Sequence, residues 1–563
     1  MARRRRYSRS APSSADGRLR LLQVVLLVGF FVVGAKALAL TASSSGLSAM
    51  ARGQQEQTIT LPAHRGDIVD RSGVQLAVGK EQQTVWATPR QLKDPEAAAR
   101  SLAKVLHVSR ARLEKEFSQR DSWYAIVARQ VDPALAKKAL ALKIPGVGSS
   151  PEEKRFYPLN TLAAQILGCT DIDNKGIAGL ELTYNDELEG KPGSERVVCD
   201  PTGQVLRIDD ERDPQPGSTV RLTLDQDIQF KTEQVLLSTV REYHAKDATG
   251  IVMDPRTGAI LAMANVPLVN ANKWGSTPAA LERNRAVTDI YEPGSTFKLV
   301  TVSAALQEGL VTPDTSFVLP PSLTVSTNPL QVIHDAEKRG TERMTVSQIL
   351  ARSSNIGAAT LGKMLGRQKL SFWIKRFGFG QPTGIAFPGE ASGLVPQHWW
   401  QSTIATVPMG QGISVTALQM AAAYAAIANG GVWQQPRLVA QVGDKVVPPT
   451  GQRRIVSAKV AREVLSMMRD VVIEGTGTAF QIPNYTVAGK TGTAQVPYYN
   501  KPGYMPGAYV SSFIGVVPAR SPRLLVMVVV DRPSNGAYYG AVVAAPAARQ
   551  IAEFALQYLK IAP

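Results

Sequence analysis

The sequence predicts an α+β protein anchored to a membrane by one N-terminal helix, and three observations lead there. A cluster of arginines stands directly before the longest apolar run. The first half of the chain carries turns and mixed short elements but no catalytic grouping. The second half has short apolar strands at both ends around a helix-rich middle, the pattern of one antiparallel sheet assembled from distant segments and flanked by helices.

At 563 residues the chain exceeds one ordinary core and suits two or three folded units. Its 44% hydrophobic and 19% charged residues fit a globular protein and exclude a fibrous or disordered one. The expected boundaries are a basic cytoplasmic tail at 1–20, a transmembrane anchor at 21–41, a stalk and pedestal at 42–240 and a catalytic domain at 241–563.

The anchor is read from Arg3, Arg4, Arg5, Arg6, Arg9, Arg18 and Arg20, which precede an apolar run from Leu21 to about Leu40. Basic residues before such a span mark the cytoplasmic side, so the rest of the chain should lie outside the inner membrane. Ala37-Leu38-Ala39 would suit a signal-peptide cleavage site. A retained helix is favoured, because the run approaches the ~20 residues a span needs and Lys36 can snorkel to the headgroups. The net charge of +17 does not gather into a recognition helix, so no nucleic acid is expected.

A Ser/Ala/Gly/Gln-rich stalk covers 43–57. The pedestal follows with turn signals at Arg71-Ser72-Gly73, Lys191-Pro192-Gly193 and Pro201-Thr202-Gly203, and with one helical period over 95–117. In the second half, residues 250–254 and 259–263 flank Pro255-Arg256-Thr257-Gly258 as a hairpin. Further strands are expected at 510–517 and 524–530, a final helix at 546–559, and a helical middle at 300–468.

Two cysteines, Cys169 and Cys199, exclude a disulfide scaffold and leave their pairing open. The five histidines show no metal-ligand spacing, and neither a metal nor a cofactor is expected.

The chemistry lies in three short motifs of the second half: Ser295-Thr296-Phe297-Lys298, Ser353-Ser354-Asn355 and Lys490-Thr491-Gly492-Thr493. Together and in this order they form the S-x-x-K, S-x-N, K-T-G set of penicillin-binding proteins and serine β-lactamases. Singly they are weak, since Ser101-Leu102-Ala103-Lys104 and Ser326-Thr327-Asn328 repeat two of them; the first is expected on the 95–117 helix and the second in a Pro-rich loop.

Ser295 opens a helical run after Pro293-Gly294, where backbone N–H groups favour developing negative charge. Lys298 is one turn on, on the same face, and a desolvated lysine beside another cation can accept the serine proton. Ser353 would relay protons to the leaving amine, and Asn355 would hold the substrate amide and Lys298. Lys490 would add charge and attract a carboxylate, with Thr491 and Thr493 as hydroxyl donors and Gly492 admitting a close backbone. An oxyanion hole would come from the N–H groups of Ser295 and Thr493. A Walker A loop is excluded by Asn484, and no G-x-S-x-G elbow is present.

With these residues placed, the chain resembles the class B penicillin-binding proteins, most closely their division-specific septal D,D-transpeptidases of the FtsI type. Besides the trio, the resemblance rests on Arg65-Gly66-Asp67-Ile68-Val69-Asp70-Arg71-Ser72-Gly73, Arg155-Phe156-Tyr157-Pro158 and Gly176-Ile177-Ala178-Gly179-Leu180-Glu181. In the catalytic half it adds Arg283-Asn284-Arg285, Glu292-Pro293-Gly294 and Met409-Gly410-Gln411-Gly412, the last read as packing. Arg65 and Asp67 are expected in structural ion pairing between pedestal segments.

The resemblance implies a dimerisation-type pedestal and a transpeptidase domain of the serine β-lactamase-like fold. It implies acylation of Ser295 by peptidoglycan stem peptides ending in D-Ala-D-Ala, transfer to an amine acceptor, and inhibition by β-lactams. Glycan polymerisation would fall to a membrane glycosyltransferase of the FtsW type, alongside other division proteins, because the pedestal follows the anchor directly. An elongation-type transpeptidase, a membrane-anchored β-lactam sensor or hydrolase, and a catalytically silent scaffold are the rival readings.

Overall fold

Five strands from opposite ends of the second half meet in one antiparallel sheet. The computed structural model describes residues 14–42, 56–199, 205–327, 330–498 and 500–563. In spatial order the strands are Ile260–Val266, Asp247–Met253, Leu524–Asp531, Tyr504–Val517 and Ala488–Pro497. The expected hairpin is present, with Gly250 opposite Ala264 and Val252 opposite Ala262. Both faces of the sheet are covered, which explains the unbroken apolar run at 524–530. Leu525, Met527 and Val529 join one core, while Leu524, Val526, Val528 and Val530 join the other. A fully buried side chain of this kind stabilises by roughly 1.5–3 kcal/mol.

The second core is closed by helices Gln226–Glu242 and Gly540–Tyr558. The latter begins earlier than expected and carries Pro546 inside it. Proline has no N–H to give the carbonyl four residues back. That carbonyl, of Val542, accepts instead from the Tyr243 hydroxyl at 3.2 Å, a compensation between distant segments.

The opposite face carries the helical middle, including Lys298–Gln307, Asn355–Phe377, Ala417–Ala428 and Ala458–Ile473. This region also contains small hairpins. Ser326 is on one of them, the strand Leu323–Thr327 paired with Leu330–Ile333, and not in a Pro-rich loop as its prolines led us to expect.

The residues before and after 240 share a second, mixed sheet. Val439–Val442 pairs with Val220–Leu222, which runs parallel to Ile68–Val69; Gln75–Ala87 then pairs with Ala125–Val131 and Val147–Phe156. The helical period over 95–117 resolves into two helices, Pro95–Leu106 and Arg110–Phe117. His107 adopts a left-handed conformation (φ 55°) that ends the first, and the Ser109 side chain caps the second.

The three pedestal motifs converge on one buried carboxylate. Glu181, fully buried, accepts from Arg65 Nε at 2.8 Å and from Arg155 Nε at 2.6 Å, and forms an ion pair with each arginine. Arg65 also reaches Asn185 at 3.1 Å. Asp67 makes no ion pair among the described residues and accepts from the Gln75 amide at 2.9 Å. The expected ionic tie is therefore Arg65–Glu181–Arg155, without Asp67.

His64–Gly190 and Pro216–Pro563 form the compact unit described so far. The other unit contains a helix, Ser14–Ala42, and a three-stranded antiparallel sheet of Glu56–Leu61, Gly193–Cys199 and Val205–Arg212. Within the helix, Gly17–Thr41 is apolar, unburied and long enough to cross a membrane. Arg3 to Arg9, most of the stalk, the Pro201-Thr202-Gly203 turn, Asn328 and the Cys199 side chain lie outside the described residues. Cys169 is a free, buried thiol that burial pushes up to about 12.

Candidate active site

Ser295 sits on a short 3-10 turn, Gly294–Phe297, that leads directly into the helix Lys298–Gln307. The turn is fixed from behind by the 407–412 segment. Gly294 N donates to Gly410 O at 3.1 Å, and a Cβ on Gly410 would fall 2.1 Å from Gly294 O. Gly410 also has φ +85°, so only glycine fits without strain. The packing assigned to this segment thus sets where Ser295 lies.

One turn on, Lys298 is fully buried with Nζ 2.9 Å from Ser295 Oγ. The same Nζ is 2.8 Å from Asn355 Oδ1, 3.1 Å from Ser353 Oγ and 2.5 Å from the Ser353 carbonyl. Ser353 occupies the turn between helices Val346–Ala351 and Asn355–Phe377, at φ 58°. That left-handed conformation is uncommon for a residue with a Cβ and costs of order 1–3 kcal/mol. It presents both the hydroxyl and the carbonyl of one residue to the same ammonium.

Lys490 enters from the strand Ala488–Pro497, at the sheet edge. It is fully buried, with Nζ 3.0 Å from Ser353 Oγ and 3.2 Å from the Thr491 carbonyl. The Ser353 hydroxyl therefore faces both lysines. Behind this strand, a Cβ on Gly492 would lie 2.3 Å from Ser512 Oγ and 3.0 Å from Pro293 O, the close approach its motif requires. Thr493 Oγ1 accepts from Gly540 N at 3.0 Å, which leaves its proton available.

Burial pushes Lys298 well below the usual lysine range; Lys490 lowers it further and Asp335 opposes the shift. Burial alone brings Lys490 down to about 7. Both ammonium groups are thus poised to lose a proton far more readily than a solvated lysine. A neutral Lys298 at this distance can take a hydroxyl proton from Ser295.

The sequence reading missed Asp335. Its Oδ1 accepts from Asn355 N at 2.5 Å and Ile356 N at 3.0 Å, its Oδ2 accepts from Ser354 Oγ at 2.9 Å, and it pairs with Arg339. It thereby caps the helix that carries Asn355 and holds the middle motif in place. No local motif marks it. Thr476, also missed, brings its hydroxyl 2.7 Å from that of Thr491.

The cleft at this site has a volume of about 580 Å³ and is lined by Ser295, Ser353, Asn355, Thr491, Thr493 and Asp335 among others. The two lysines lie beneath its surface. Ser101, on the pedestal helix Pro95–Leu106, and Ser326 do not line it. Every residue of the predicted trio is thus brought to one place. No cluster able to hold a metal is present among the described residues.

Residues 248–553 match the penicillin binding protein transpeptidase domain and residues 60–222 the penicillin-binding protein dimerisation domain. The chain is 33% identical over 561 residues to the probable peptidoglycan D,D-transpeptidase PenA of Neisseria meningitidis, covering 98% of this chain and 94% of that one. It is 32% identical over 517 residues to the peptidoglycan D,D-transpeptidase FtsI of Escherichia coli, covering 89% and 84%. The crystal structure of penicillin binding protein 3 from Mycobacterium tuberculosis, complexed with aztreonam, superposes with a TM-score of 0.71 at 30% identity, covering 90% of this chain and 98% of that one. A dimerisation domain followed by a transpeptidase domain, matched over nearly the whole described chain, makes this protein a member of the class B penicillin-binding proteins.

Proposed function

We propose that this chain is a peptidoglycan D,D-transpeptidase in which Ser295 is the nucleophile and Lys298 its base. The observation that carries the assignment is the 2.9 Å contact between Ser295 Oγ, which lines the cleft, and the fully buried Lys298 Nζ beneath it. In the acylation step the Ser295 proton passes to neutral Lys298 and Oγ bonds to the penultimate D-Ala carbonyl carbon. The bond to the terminal D-Ala breaks as its nitrogen receives a proton through Ser353. An acceptor amine then displaces the ester, and the Ser295 oxygen regains a proton. Asn355 orients Lys298 and the substrate amide. Lys490, Thr491, Gly492 and Thr493 shape the carboxylate site, and the N–H groups of Ser295 and Thr493 face the developing oxyanion.

β-Lactams acylate the same serine by opening the lactam amide. The N-terminal helix is a single-pass anchor, with the arginines inside and the catalytic domain on the outer face. Septal cross-linking is part of the same reading, with a glycosyltransferase of the FtsW type as partner; the resemblance to relatives such as FtsI supports it, and septal enrichment of a tagged copy tests it. Diffuse placement along the side wall would favour an elongation role.

A fluorescent penicillin tests the chemistry. Wild-type protein should retain the label, and Ser295→Ala should take none while its melting temperature stays near wild type. Ser101→Ala and Ser326→Ala should label normally. Labelling of Ser295→Ala would refute the nucleophile, and rapid loss of label from the wild type would favour a hydrolase.

A further inference from the structure

Five arginines drawn from widely separated positions line one cavity that shares no residue with the cleft around Ser295. The cavity, about 410 Å³, is bounded by Arg71, Arg221, Arg256, Arg437 and Arg523, with Asp254 as the only acidic residue in its wall among the described residues. Its frame is held by backbone. Thr223 N donates to Leu438 O at 2.7 Å, Ile260 N to Arg437 O at 3.0 Å, and Arg437 N to Gly258 O at 2.9 Å. The Thr223 hydroxyl adds a bond to Ile260 O at 2.7 Å. The arginines therefore project from fixed strands and turns where the strand Val220–Leu222 meets the hairpin of the five-stranded sheet.

The protein neutralises little of this charge. Arg256 pairs with Asp254 at 3.1 Å, and Arg71 is 3.9 Å from Asp225. Arg221 donates to the Arg71 carbonyl at 3.3 Å, and Arg437 to the Val447 carbonyl at 3.0 Å; neither these two nor Arg523 makes an ion pair among the described residues. Arg437 Nε is buried with no hydrogen-bond partner. Like charges held together in a concave site repel one another, and the site focuses a positive potential.

We propose that this cavity is a binding site for a phosphate-bearing ligand. Guanidinium forks match phosphate oxygens in pairs. Three arginines without an ionic partner call for more acceptor oxygens and more negative charge than a single carboxylate offers. A phosphate monoester or a pyrophosphate supplies both. Leu261, Leu524 and Ile561 provide an apolar wall beside the cations, so the phosphate can belong to a free anion or to a lipid headgroup.

Isothermal titration of the full-length protein in neutral detergent tests this, with inorganic pyrophosphate as one probe and a short-chain phosphatidic acid as the other. One saturable site is expected for at least one probe. Arg221→Gln combined with Arg523→Gln should weaken it at least tenfold. The pair Arg100→Gln and Arg462→Gln, on exposed helix positions outside the cavity, makes the same charge change and should alter it less than twofold. Saturation by pyrophosphate identifies a free anion, and saturation by the lipid alone identifies a headgroup. Arg523 is exposed, so Arg523→Glu gives a second variant of low folding risk and should weaken binding more than Arg523→Gln. Penicillin labelling of each variant verifies its fold. Absence of saturable binding by both probes, or equal losses in the cavity and control pairs, would overturn the proposal.

Discussion

Lys490 donates to the Ser353 hydroxyl at 3.0 Å across 137 residues of sequence, and Lys298 approaches the same oxygen at 3.1 Å. The Ser353 hydroxyl thus stands between the two lysine nitrogens. The two lysines are equivalent in burial but not in task. Lys298 must be neutral to act as base, whereas Lys490 must be charged to hold a carboxylate.

The acylation rate should therefore be bell-shaped in pH. The neutral fraction of Lys298 grows as pH rises through its lowered pKa, and the charged fraction of Lys490 falls as pH passes about 7. Lys298→Arg should abolish acylation at every pH, since guanidinium does not deprotonate in a protein. Lys490→Arg should keep some acylation and move the alkaline limb upward. Second-order acylation rates across a pH series check this; equal rates in the two variants would exclude Lys298 as the base.

Asp335→Ala removes the acceptor for the N–H groups of Asn355 and Ile356. Loss of a helix cap costs about 0.5–2 kcal/mol, so a modest drop in melting temperature is expected. Because Asn355 positions Lys298, acylation should fall at least tenfold. Asp335→Asn, which retains an acceptor oxygen, should recover part of the rate. A variant with lowered stability but unchanged acylation would leave Asp335 with a purely structural part.

Glu181→Leu should be among the most destabilising single changes in the pedestal. It leaves Arg65 and Arg155 buried without a counter-charge, a situation that typically costs about 3–5 kcal/mol. Asp67→Asn, at a residue outside that triad, should shift stability by under about 0.5 kcal/mol. Thermal unfolding of the two variants compares them directly.

Glu233 accepts from Ala163 N at 2.9 Å and from the Gln229 amide at 2.8 Å, and burial pushes it up to about 7. A raised folded-state value means that the native protein binds the proton more tightly than the unfolded chain. The stabilisation is complete below the ordinary glutamate range and is lost as pH rises through about 7. The melting temperature should fall between pH 5 and pH 8, and Glu233→Gln should flatten that decline. An unchanged slope in the variant would assign the pH dependence to other groups.

Much of the architecture was legible because its causes are local. Seven apolar residues in sequence at 524–530 announced a strand buried on both faces, and the Pro255–Gly258 turn announced its hairpin neighbours. The order of three motifs named the chemistry and separated Ser295 from Ser101 and Ser326. What tertiary structure decided depends on residues far apart in sequence. His107 ends one helix where periodicity alone continued it, and Pro546 is tolerated because the Tyr243 hydroxyl reaches the carbonyl that proline leaves unpaired. Asp335 carries no motif, and only folding brings it to the start of the helix bearing Asn355. The sequence by itself determined which side chains stand together as one candidate set, since motif identity and order are one-dimensional. Only the tertiary structure decided that both lysines fall below the ordinary lysine range, because their burial and the placing of Lys490 near Lys298 are set by contacts between segments that the chain order does not specify.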